Sequence, residues 1–117
     1  MLRMCVFIVL LLPIWALASD RLFWECKAYS ETWDRILLRL VASPDNGIGA
    51  VYAAGSEQIA RYGTEGLDRR WDFGINSDGN GYDFAILMRP TGETLYYNFT
   101  IKSEASPSQR YWCRPKD

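Results

Sequence analysis

From residue 22 onward, apolar side chains fall at every second position in short runs, and each run stops at a cluster of Gly, Pro, Asn, Asp or Ser. A period of two sends successive side chains to opposite faces of an extended strand, whereas a helix needs a period near 3.6. No window carries a helical stripe, so the pattern predicts an all-β chain.

Residues 22–29 place Leu22, Trp24, Cys26 and Ala28 on one face, opposite Glu25 and Lys27. Residues 35–42 follow, with Ile36, Leu38 and Leu40 inward between Arg35 and Arg39. After the turn signal Ser43-Pro44-Asp45-Asn46-Gly47 comes an Ala- and Gly-rich pair, 48–54 and 57–63, turning at Gly55. Residues 67–75 put Leu67, Arg69, Trp71, Phe73 and Ile75 on one face against Asp68, Arg70, Asp72 and Gly74; Arg69 is the misfit among the apolar residues. A hairpin then runs Tyr82, Phe84, Ile86, Met88, turns at Pro90-Thr91-Gly92, and returns with Leu95, Tyr97, Phe99 and Ile101 expected on the same face. The last strand, 109–114, carries Tyr111 and Cys113 on the apolar parity.

Eight short antiparallel strands in chain order predict a small up-and-down barrel, because closure removes the exposed edges a small sheet must otherwise defend. A two-sheet β-sandwich is the alternative. Nothing divides residues 19–117, which read as a single domain.

The first eighteen residues read as a signal peptide: Arg3 supplies a positive start, Met4 to Trp15 carries no charge, and Ala16-Leu17-Ala18 precedes cleavage before Ser19. The apolar run is too short for a bilayer of about 30 Å. The mature chain is therefore expected to be exported, periplasmic or secreted, with no membrane anchor after cleavage. It retains two cysteines, Cys26 and Cys113, near its ends. In an oxidising compartment an isolated pair forms one disulfide, and its long loop stabilises by about 4 to 5 kcal/mol on the chain-entropy model.

The chain has no histidine, so a Ser-His-Asp triad, a Cys-His pair and every histidine-ligated metal site are excluded. The disulfide leaves no thiol nucleophile. The mature net charge is slightly negative, without the basic footprint that a nucleic-acid binder needs. No cofactor and no metal site are expected. Asn76-Ser77-Asp78-Gly79-Asn80-Gly81-Tyr82 is shaped like the front of a calcium loop, but Asn76 stands at the first ligand position and Leu87 where a bidentate glutamate belongs, so it reads as a hairpin loop. Asp68 and Asp72, four apart on one strand, are separated by roughly 13 Å, beyond the spacing of paired glycosidase carboxylates. Asn98-Phe99-Thr100 is a glycosylation sequon, with Asn98 expected on the outward face.

Two tryptophans stand off the core parity. Trp33, followed by Asp34-Arg35, lies outside the alternating runs and is a candidate either to anchor a partner or to cap one barrel end. Trp112 is expected outward, sandwiched between Arg110 and Arg114.

Ser56, then Ala60-Arg61-Tyr62, and further on Trp71 with Gly74, resemble the Ser…Gly-Ala-Arg-Tyr…Trp-x-Lys-Gly signature of the periplasmic inhibitors of c-type lysozyme. Size, leader, paired cysteines and an eight-stranded barrel are similar to that family too. The resemblance implies a protein that binds another protein by pushing a serine-bearing loop and a basic residue into a cleft lined by carboxylates. Carried over, Ser56 is the loop serine and Arg61 and Tyr62 its supports. Phe73 stands where the family's basic residue belongs, and Arg69 and Arg70 are the nearby cations.

Taken together, the residues point to binding of another protein and not to catalysis, with Ser56, Arg61, Tyr62, Arg69, Arg70 and Trp33 as candidate contacts. A carbohydrate- or small-molecule-binding barrel, using space left by small inward residues at Ala50, Ala54 and Ala60, is the second reading. A carboxylate-dependent hydrolase is the third. The oligomeric state is left open.

Overall fold

The computed structural model describes residues 21–100 and 107–116. Residues 1–20, which include the predicted leader, residues 101–106, Ile101 among them, and Asp117 lie outside the described residues.

Eight strands, β1 (Leu22–Ala28), β2 (Leu38–Ser43), β3 (Ile48–Ala53), β4 (Ser56–Glu65), β5 (Asp68–Ile75), β6 (Tyr82–Met88), β7 (Glu93–Asn98) and β8 (Gln109–Pro115), follow one another. They form a closed antiparallel barrel in sequence order, with β8 pairing back onto β1. This is the barrel and not the sandwich. Closure is fastened by the Cys26–Cys113 disulfide, whose two residues are register partners with Cα atoms 4.0 Å apart.

The two barrel ends differ in their connections. At one end the turns are tight: residues 44–47, the two-residue Gly66-Leu67 turn, and Pro90-Thr91-Gly92. The other carries the longer loops 29–37 and 76–81 and the link from β7 to β8, with one tight turn at Ala54-Gly55, where both residues have positive φ as a twist-matched hairpin turn requires.

The interior is filled by the inward parity. Trp71 is fully buried and crosses the barrel toward β2, where its Nε1 donates to the Val41 carbonyl at 2.8 Å. Gly49 makes this crossing possible, since a Cβ there would lie 2.8 Å from the indole. Trp24 meets Trp71 edge-on at 5.5 Å and Tyr62 packs against it at 5.1 Å, while Phe73, Phe84 and Tyr96 fill the space toward the looped end.

Several positions depart from the expectation. Strand β2 starts at Leu38, leaving Arg35 and Ile36 in the preceding loop. On β7 the inward residues are Thr94 and Tyr96, not Leu95 and Tyr97. The cause is the three-residue loop: Arg89 N donates to Glu93 O, so Met88 faces Thr94 and Ile86 faces Tyr96. Asn98 therefore shares the inward side with Phe84, not the outward one. Leu67 belongs to a turn and is 86% exposed, and Ile75 lies exposed at the end of β5. Ala50 points outward, in register with Val41 and Ile59, and Ala54 sits in a turn; only Ala60 of the three small residues is inward, and it is buried against the core. Around Ala60 the interior is packed with the rings of Tyr62, Trp71 and Phe73.

Candidate functional site

The candidate residues separate onto four places. Ser56 starts β4 beside the Ala54-Gly55 turn, and its Oγ donates to Ala53 O at 3.2 Å. Arg61 and Arg70 face outward on β4 and β5, where both grip Asp72: Arg61 Nη2 lies 3.2 Å from Oδ2 and Arg70 Nε 3.0 Å from Oδ1. Arg70 also reaches Glu65 at 3.1 Å, and Arg61 lies over the Tyr82 ring at 5.2 Å. Partial burial of Arg70 opposes its charge, but the hydrogen bonds and charges of Asp72 and Glu65 outweigh that and raise its pKa. Both cations are thus paired within the chain, and Asp72, only 6% exposed, is their shared buried counterion. Asp72 thus accepts from both arginines.

Trp33 is half-buried on the outer wall over the β1–β8 seam. Its ring lies under Arg114 at 4.2 Å and Lys27 at 5.3 Å, and Lys27 Nζ also donates to Glu31 O, so the loop 29–37 straps the seam from outside. It does not cap a barrel end. Trp112 is outward, but its stacking partner is Tyr29 at 5.2 Å: Arg110 is drawn to Glu93 at 3.6 Å and Arg114 to Glu25 at 2.8 Å, so the expected arginine sandwich does not form.

Tyr62 and Arg69 are brought together at the tight-turn end, on the inward face. Arg69 Nη1 donates to the Tyr62 hydroxyl at 2.7 Å, and its guanidinium lies 5.0 Å over the Trp24 ring. The register places Arg69 beside Met88 and across from Thr64, at the barrel mouth. It opens on a cleft of about 540 Å³ whose rim includes Leu67, Arg89, Thr91 and Arg114. Among the described residues no carboxylate comes within ion-pair distance of Arg69, while Arg89 and Arg114 at the same rim each have one. A partly buried guanidinium held by one phenol and one ring keeps donors for an anion, and a carboxylate matches its geometry best.

The misfit arginine in an apolar alternation was the sequence signal for this mouth. Its partner Trp24 was not legible, being on β1 and brought over Arg69 only by closure. Among the described residues no cluster of three Cys, Asp or Glu side chains is placed to hold a metal ion. Compared with protein-family models, with curated proteins and with solved structures, the chain matches none.

Proposed function

We propose that this chain is an exported, non-catalytic binding protein that engages another protein through the tight-turn end of the barrel, in the manner of a periplasmic lysozyme inhibitor. The observation that carries the reading is Arg69, a cation at the mouth with no described carboxylate of its own, next to the exposed prong of Leu67. An acidic partner surface supplies the missing counterion, and Leu67 adds apolar contact beside it. The disulfide across the seam supports maturation in an oxidising compartment, and the leader read at residues 1–18 supports export. In this reading the roles that the family resemblance gives to Ser56, Arg61 and Tyr62 shift: Tyr62 orients Arg69, Arg61 stays with Asp72, and Ser56 lies at the far end.

The test is a titration of the oxidised mature chain, residues 19–117, against c-type lysozyme, reading binding and enzyme inhibition together. Saturable inhibition, weakened at least about tenfold by Arg69→Met and little by Arg61→Ala, is expected. Absence of binding retires the lysozyme target; binding indifferent to Arg69→Met retires the mouth as the contact.

A further inference from the structure

Four large apolar residues stand in solvent on one stretch of the outer wall. Phe23, Val41, Ala50 and Ile59 form a single register row across β1, β2, β3 and β4, with Ile48 and Tyr52 on either side of Ala50 along β3. Ile59 is 68% exposed, Ile48 51%, Phe23 44% and Tyr52 39%. A contiguous exposed apolar patch with a polar rim marks an interaction surface. Because the barrel is closed, no strand edge is on offer here, so the contact is made face to face.

The pattern of charges names the occupant. On β4 the outward residues read Glu57, Ile59, Arg61: acid, apolar, base, with Ile59 in the middle. A two-fold axis tangent to the barrel at Ile59 and perpendicular to β4 reverses the strand direction of a second copy. It sets Ile59 against its own equivalent and Glu57 against Arg61, twice. The same operation sets Tyr52 against Ile48, again twice. Residues two apart on a strand are separated by roughly 7 Å, so both charge pairs fall on the rim of the apolar contact. Both partners have capacity left: Glu57 uses one oxygen for the Tyr52 hydroxyl, and Arg61, engaged with Asp72 through Nη2, remains largely exposed. The small Ala50 lets the convex walls approach.

We propose that the protein self-associates as a two-fold dimer through the outer wall around β3 and β4, with β4 crossing β4 antiparallel. Such an isologous contact needs only one self-complementary patch, and Glu57-x-Ile59-x-Arg61 is one. The contact is separate from the Arg69 mouth, so either can fail without the other.

Sedimentation of the oxidised mature chain tests this, with folding of each variant checked by near-ultraviolet circular dichroism. A dimer is expected. Ile59→Arg should make it monomeric, Glu57→Arg should raise its dissociation constant at least about tenfold by opposing Arg61 with a like charge, and Ile75→Arg, an equally exposed residue off the patch, should leave it unchanged. A chain that stays monomeric to about 100 µM overturns the proposal. So does a dimer indifferent to Ile59→Arg, or one that Ile59→Arg dissolves while Glu57→Arg has no effect, since the antiparallel crossing is then absent.

Discussion

On the β5–β8 half of the barrel the outward residues Asp72, Ala85 and Leu95 are as buried as core residues, while on the β1–β4 half Phe23, Ile48 and Ile59, at the same outward parity, stand in solvent. The difference lies in what grows around them. Asp72 collects Arg61 and Arg70, Glu93 collects Arg89 and Arg110, and Tyr97 stacks on Phe99 at 6.0 Å, so arginine stems and rings spread over Ala85 and Leu95. On β1–β4 Arg61 leans onto Asp72 of β5, and Arg39 has no described carboxylate partner. One wall is closed by its own side chains; the other keeps Phe23, Ile48 and Ile59 in solvent. Outward parity alone therefore does not make a residue a surface residue.

Breaking the seam that joins the two halves should have the largest effect. Replacing Cys26 and Cys113 together by alanine is expected to cost about 4 kcal/mol, read as a lowered urea midpoint against the oxidised chain. Next, Leu95→Ala on the covered wall should cost about 2 kcal/mol, whereas Ile59→Ala on the bare wall should change monomer stability by less than about 0.5 kcal/mol. Equal losses at the two positions would erase the contrast. Asp72→Asn should cost about 1 to 2 kcal/mol, because it takes the counterion from two arginines that can turn partly to water. The smallest effect concerns alkali. Burial raises the phenol pKa of Tyr96, and burial followed by the charge of Tyr96 raises that of Tyr111. A raised folded pKa gives stability that is whole below the ordinary tyrosine value of about 10 and is lost as pH climbs through the folded value. Urea midpoints should hold through neutral pH and fall above about pH 10, and Tyr111→Phe should lessen that fall.

Much of the barrel could be read from the chain. Alternation located all eight strands, the two cysteines located the seam, and the Gly-bearing turns located the hairpins. The face of β7 could not be read, because Leu95 and Tyr97 are the more apolar pair and only the Arg89–Glu93 closure of the turn sets which residues meet Ile86. Arg69 was visible as a misfit, yet the ring beneath it comes from β1 and the hydroxyl from β4, and sequence spacing holds neither. Arg61 and Arg70 looked like available cations; their shared counterion Asp72 becomes their partner only when β4 lies beside β5. The bare wall was the least legible feature, since its exposed Phe23, Ile48, Tyr52 and Ile59 come from three strands and each is an ordinary residue in its own run.

The contrast between the walls is tested most directly by amide chemical shifts of the oxidised mature chain, followed from dilute to concentrated solution. Shifts confined to residues around Ile48, Tyr52 and Ile59, with Ala85, Leu95 and Tyr97 unmoved, are predicted. Shifts spread over β5–β8, or none on β1–β4, would contradict it.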